Sequence, residues 1–255
     1  MTVKRRDYQP IYDNTFRRRH RYRRWLWLLT VLVVIIGGGW GWYQWDAHQR
    51  AQVASYPIKG VTINQDSGYL DFQQLAKHET FAYLQATSGA TYTDDDFSDN
   101  YSRSQGADIQ IGVAHTFSFT TTAQRQYHHF KNTVKRNTGT LPIMVAVSYY
   151  GKYNSSNADM ATQGQKLKQL VTLLSGHYHQ GVVVFASKSV LTQFVRPVLP
   201  QQDYWTAGGK LSGHAQQVKL IEYDANGTVS QNGQDLPVAK SVFNGDRREW
   251  HAFTR

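Results

Sequence analysis

The sequence predicts an α/β barrel, mainly parallel and covered by helices, carried behind one hydrophobic helix. Three observations lead there. Short apolar runs rich in strand formers alternate with longer segments of helical character. Runs such as Val182-Val183-Val184-Phe185 are apolar at consecutive positions, as strands covered on both faces are. About seven such strands follow Pro57, enough to close a sheet on itself. The chain has 255 residues, of which 40% are hydrophobic and 13% aromatic, so a packed core is available although the mean hydropathy is −0.54. Cysteine is absent, which excludes a disulfide framework, a thiolate nucleophile and any Cys-ligated zinc or iron–sulfur site.

Residues 1–24 read as a basic cytoplasmic tail. Lys4, Arg5, Arg6, Arg17, Arg18, Arg19, Arg21, Arg23 and Arg24 stand there against Asp7 and Asp13, and hold most of the chain's formal charge of +10. Residues 25–45 carry no charge and match the roughly 20 residues a helix needs to cross a bilayer. Trp25, Trp27, Trp40, Trp42 and Trp45 bracket the stretch as interfacial aromatics do. The expectation is a single-pass transmembrane signal-anchor, N-terminus cytoplasmic and the rest extracellular, in a cell membrane of the Gram-positive type of envelope. A cleaved signal peptide is the competing reading, since the strongly apolar part, 26–36, is only signal-peptide length. The basic run is a topology determinant that also suits anionic lipid, and no nucleic-acid partner is expected.

Residues 46–56 form a short polar juxtamembrane linker, and 57–255 one folded domain. Strands are expected at 59–64, 80–86, 109–115, 142–149, 181–186, 203–207 and 218–223. Helices are expected at 71–78, 94–105, 122–135, 158–175 and 190–195. Asp224-Ala225-Asn226-Gly227 reads as a turn.

In a (β/α) barrel the chemistry sits at the C-terminal ends of the strands. Those ends offer Thr62 and Asn64, Thr87 and Ser88, His115, Ala146 and Ser148, Trp205, and Glu222. Gly60-Val61-Thr62-Ile63-Asn64, Phe81-Ala82-Tyr83-Leu84-Gln85-Ala86-Thr87-Ser88-Gly89, Asp95-Asp96-Phe97-Ser98-Asp99-Asn100-Tyr101 and Gly112-Val113-Ala114-His115-Thr116-Phe117-Ser118-Phe119 resemble, in order and spacing, the glycoside hydrolase family 25 lysozymes, the Chalaropsis-type muramidases. The stretch from Leu141-Pro142-Ile143 through Gly151-Lys152-Tyr153 continues the resemblance, as does Val242-Phe243-Asn244-Gly245. The resemblance implies a flattened (β/α) TIM-like barrel that cleaves peptidoglycan between N-acetylmuramic acid and N-acetylglucosamine. It also implies acids at positions held here by Thr62, Ala146, Ser148 and Ala239, and Ser88 where the family has a glutamate. The chain resembles a degenerate member lacking the catalytic acids.

The residues themselves lead the same way. Glycoside hydrolysis ordinarily uses two carboxyl groups, one as acid and one as base, nucleophile or stabiliser. Between Ile109 and Gln202 the only carboxylate is Asp159, in an expected helix. Asp66, Asp94, Asp95, Asp96, Glu222, Asp224 and Asp235 remain as replacements; Asp94 to Asp96 suit a helix N-terminus, and Glu222 is the best single substitute. Ser148 as a nucleophile, with His115 as base, lacks a strained elbow and a paired acid. His128-His129 and His177-Tyr178-His179 read as solvated histidines; no metal and no cofactor is expected. His115, Tyr149, Tyr150, Trp205 and Ser88 are the expected glycan contacts, with Tyr153 adding to an aromatic platform. Together these features read as a membrane-anchored domain acting on or binding peptidoglycan glycan strands, with the bilayer contacted through 25–45 and catalysis lost. An active muramidase using relocated carboxylates is the alternative, and an envelope scaffold a second.

Overall fold

The computed structural model describes residues 15–154, 159–208 and 217–254; the side chains at 15–22, 24, 42 and 45–50 lie outside the described residues. The chain divides into two units, Met1–Gln52 and Val53–Arg255.

The first unit is dominated by α1 (Thr15–Ser55), a helix of 41 residues. No proline interrupts it, and Thr30 Oγ1 donates to the Leu26 carbonyl at 2.8 Å, so the polar hydroxyl is satisfied within the helix. Its apolar side chains stand exposed, from Trp25 at 71% through Ile36 at 61%. Among the described residues no helix is long and apolar enough to cross a membrane. The span expected at 25–45 includes Trp42 and Trp45, whose side chains are outside the described set, as is most of the basic tail.

The second unit runs β1 (Lys59–Ile63), a 3-10 turn (Gln65–Ser67), α2 (Phe72–Leu75), β2 (Phe81–Ser88), β3 (Tyr92–Thr93), α3 (Phe97–Ser104), β4 (Gln110–Thr116), α4 (Ala123–Val134), β5 (Ile143–Ala146), α5 (Met160–Tyr178), β6 (Val182–Ser187), α6 (Lys188–Val190) continued by a π turn (Leu191–Val195), β7 (Asp203–Ala207), β8 (Val218–Gln231), β9 (Gln234–Phe243) and α7 (Arg247–Phe253). The sheet order is β1-β9-β8-β7-β6-β5-β4-β2, and β1 pairs with β2 to close it, with β3 appended to β2. An eight-stranded barrel results. β1, β2 and β4 to β8 are parallel, and β9 is antiparallel to both its neighbours.

The barrel expected from sequence is therefore present, with three differences in its strands. The expected strand 218–223 continues to Gln231, and β9 supplies an eighth strand. The turn lies at Asn232-Gly233, both at positive φ (52° and 77°), as a tight two-residue hairpin requires. Asp224-Ala225-Asn226-Gly227 is instead an irregular stretch of β8 where the register shifts, with Asp224 Oδ1 accepting from the Asn226 N–H. The hairpin is clamped at its tip, because the Gln231 side chain accepts from the Asp71 N–H at 2.8 Å and donates to the Asp71 carbonyl at 3.0 Å. β5 is shorter than expected; the Val147 N–H still reaches the Phe185 carbonyl, after which the chain turns through a Tyr150–Tyr153 bridge.

Two apolar layers follow from strand alternation. Outward residues such as Val61, Val113, Val145 and Val184 pack under helices whose inner faces carry Phe130, Leu167 and Leu170. Inward residues form a second cluster around Phe81, Tyr83, Met144, Trp205, Leu220 and Phe243. Aromatic rings fill the barrel axis, with Tyr83 and Trp205 edge to face at 4.9 Å between centroids. Gly60 and Gly112 make the room: a Cβ on Gly60 would lie 2.3 Å from the Phe81 carbonyl oxygen, and one on Gly112 2.5 Å from the Tyr83 ring. Helix α7 lays Trp250 against Phe81 and Phe243. Its start is fixed by a capping box between Asp246 and Glu249.

Candidate functional site at the barrel mouth

The C-terminal ends of the parallel strands form the mouth, and the register identifies which side chains face it. Cross-strand partners share a face. Thr62 pairs with Ala239 and with Tyr83, whose ring fills the core, so Thr62 and Ala239 both face inward. Thr116 pairs with Ala146, Ala146 with Phe185, Ser187 with Ala207, Ala207 with Glu222, and Glu222 with Ser241. Ser148, two residues beyond Ala146, is exposed at the rim. The inner face of the mouth is thus built mainly of small side chains, with Glu222 as its carboxylate.

Glu222 is 8% exposed. Burial pushes its carboxyl up to about 6, and the like charge of Asp224 adds to the shift. Two of the other acids considered as replacements, Asp94 and Asp235, are engaged elsewhere. Asp94 is buried, and its two oxygens accept from the Gln65 and Asp96 N–H groups, so it locks a loop; burial raises its carboxyl despite those bonds. Asp235 accepts from Ser230 Oγ in the hairpin, and Asp203 is inward but at the opposite, N-terminal end of β7.

Of the expected glycan contacts, three reach the mouth and two do not. Ser88 pairs with Thr116 and is half-buried. Tyr150 is 41% exposed and its hydroxyl accepts from the Phe119 N–H at 2.9 Å, which fixes the ring at the rim. Tyr149 lies beside it, half-buried, and Tyr153 stacks on Phe119 with centroids 5.1 Å apart. His115 is a correction. It is fully buried and faces outward to α4, with Nδ1 2.8 Å from Thr87 Oγ1 and Nε2 3.2 Å from Gln126 Oε1. Burial pushes its imidazole down to about 4, so it is a neutral core residue, neither base nor sugar contact. Trp205 is the second correction: it is 0% exposed inside the aromatic core, two residues short of the end of β7. Gln85 was missed; its Nε2 ties the Thr87 carbonyl (2.7 Å) to Thr116 Oγ1 (3.3 Å) across the β2–β4 bulge. Ser241 was also missed, and strand alternation with Ala239 was the available signal. Among the described residues no group of three or more His, Asp or Glu gathers to hold a metal.

The family profile described as glycosyl hydrolases family 25 matches residues 61–226, which contain the mouth from β1 to β8. The chain belongs to glycosyl hydrolase family 25. Solved family 25 folds superpose on it. A family 25 glycosyl hydrolase from Bacillus anthracis is 24% identical, with a TM-score of 0.70, covering 78% of this chain and 94% of that one. The lysozyme of Streptomyces coelicolor is 17% identical, with a TM-score of 0.63 and coverage of 78% and 98%. The autolysin LytC from Streptococcus pneumoniae, solved with a synthetic peptidoglycan ligand, is 15% identical, with a TM-score of 0.60 and coverage of 73% and 46%. At these identities the structures speak for the fold. No curated protein matches the chain. Within the family 25 barrel, Thr62, Ala146, Glu222 and Ala239 share one inner face, and Ser148 stands above it.

Proposed function

We propose that this chain is a membrane-anchored, externally displayed family 25 domain that binds the glycan of peptidoglycan without hydrolysing it. One observation carries the reading: the inward positions at the mouth hold Thr62, Ala146 and Ala239, with Glu222 as a single carboxylate. A positioned general acid or base is worth about 10²- to 10⁴-fold in rate, and a hydrolase needs the pair. Thr62, Ala146 and Ala239 offer no group that exchanges a proton near neutrality. Tyr150, exposed beside the half-buried Tyr149 and Tyr153, offers an aromatic surface on which sugar rings stack. Co-sedimentation of the full chain with purified peptidoglycan, with reducing ends measured in the same samples, tests this: binding without release is the expected result.

One observation favours a second reading. A carboxyl titrating at about 6 suits a general acid, so Glu222 fits a muramidase working with a relocated partner. Hydrolysis abolished by Glu222→Gln would establish that reading in place of ours.

The anchor rests on α1 and on the sequence. The helix continues through Gly37, Gly38, Gly39 and Gly41, each of which costs about 1 kcal/mol in a helix in water. A bilayer removes the competing solvent and obliges the backbone to bond internally. The exposed apolar stretch and the Arg-rich run before it supply the span and its orientation, tail in the cytoplasm and barrel outside.

A further inference from the structure

The two ends of the barrel carry opposite charge. At the mouth stand Asp66, Asp94 to Asp96, Asp159, Glu222 and Asp224, against Arg125, Lys152 and Lys188. The base, where the parallel strands begin, is the reverse. Lys77 lies in the turn after α2, Lys135 and Arg136 follow α4, Arg196 follows the π turn, and Arg247 and Arg248 open α7; all six are exposed. The exposed acids there are Asp108, Asp246 and Glu249, and the last two are engaged in the capping box of α7. Half-buried Lys59 and Lys219 are offset by Glu79 and Asp203. A cavity of about 480 Å³ at this end is bordered by Lys77, His78, Arg247 and His251, with Glu79 and Asp108, so the end of α2 and the start of α7 share one surface.

These cations hold nothing in the fold. The side chains of Lys135, Arg136 and Arg247 make no hydrogen bond or ion pair among the described residues. Near a bilayer bearing anionic lipid, each such Lys or Arg favours the surface by about fivefold. The chain also enters the barrel at this end, since only Pro57 and Ile58 separate Tyr56 from the start of β1. The acidic mouth, at the opposite ends of the strands, is repelled by the same surface.

We propose that the cationic base is a docking surface for a bilayer carrying anionic phosphate headgroups, which seats the barrel with its mouth turned away from the lipid and toward wall glycan. The inference rests on the membrane-anchor reading and adds an orientation to it.

The chain has no cysteine, so a single fluorophore can be placed on Asn137→Cys at the base or on Ser148→Cys at the mouth. The full chain is reconstituted in vesicles of phosphatidylcholine, alone or mixed with phosphatidylglycerol, whose headgroups carry a contact quencher. In the mixed vesicles the label at 137 is quenched and the label at 148 is not. Pure phosphatidylcholine frees the label at 137, and so does salt at about 1 M, where the Debye length falls to about 3 Å. Lys135→Glu, Arg136→Glu and Arg247→Glu together lower the ratio of seated to free barrel by at least about 100-fold. Lys168→Glu, midway along α5 and also exposed, leaves it unchanged. Equal quenching at 137 in neutral and anionic vesicles means that the tether alone holds the barrel near, and overturns the inference. Quenching at 148 overturns it too, and both results leave the anchor standing. If the chain stays with neither kind of vesicle, the anchor reading falls and takes the docking surface with it. Should the triple variant lose its fold by thermal melting, the lipid and salt arms decide the matter.

Discussion

Burial, with Asp224 nearby, raises the Glu222 carboxyl from 4.5 to about 6 in the folded chain. Between those values the folded state holds more protons than the unfolded one, so stability falls as pH rises through the window and levels off above it. His115 acts in the opposite sense: lowered from 6.5 to about 4, it costs stability as pH falls. Because the two slopes oppose, the difference between wild type and Glu222→Gln is the informative quantity. We predict that Glu222→Gln stabilises the domain at neutral pH by on the order of 2 kcal/mol and that the gain disappears below about pH 4. Thermal melts across that range check it; a neutral or destabilising substitution at neutral pH contradicts the burial argument. Glu222 was legible in the sequence by elimination, because Asp159 falls in a helix, Asp94 to Asp96 suit a helix N-terminus and Asp224 reads as a turn. His115 was not placed correctly, since a sequence gives the alternation of a strand but not its phase, and Trp205 was not, since β7 runs two residues past it and leaves it in the core. The phase is set by packing: Phe81 and Tyr83 fill the axis, so β4 must turn Gly112 and Ala114 inward, and His115 is left facing α4.

At the scale of elements, the parallel strands were readable because each is a short apolar run with helical sequence after it. The β8–β9 hairpin was missed because its outer half is polar and it contains two Asn-Gly pairs. Only Asn232-Gly233 adopts the two positive φ values of a tight turn, while Asn226-Gly227 sits in a bulged strand. Helix α7 was also missed, although Asp246 and Glu249 carry the spacing of a capping box. The fit of β2 into its neighbours can be tested directly. Gly112→Ala drives a methyl into the Tyr83 ring, whose hydroxyl is held by the Pro142 carbonyl at 3.0 Å, so the ring has little freedom to yield. We predict a loss of about 1–3 kcal/mol, read as a lower melting temperature with the fold retained. A melting temperature equal to wild type would show that the ring moves freely.

For the whole molecule, the proposed anchor makes a prediction about topology. We predict that the chain stays with the membrane fraction, and that protease added to wall-stripped cells digests the barrel and spares the tail. Neutralising Arg17, Arg18, Arg19, Arg21, Arg23 and Arg24 weakens or inverts that orientation. A soluble secreted product beginning near residue 54 would contradict the anchor. The barrel's central claim is that a family 25 mouth has kept its glycan surface and lost its acid pair. The most direct measurement is the release of reducing ends from purified peptidoglycan by the full, unmodified chain, beside a buffer control and the Glu222→Gln variant. The account predicts that peptidoglycan sediments with the protein and that no reducing ends appear above the control in either sample. Robust release by the unmodified chain, lost on Glu222→Gln, would show that a relocated acid still cleaves and would contradict it.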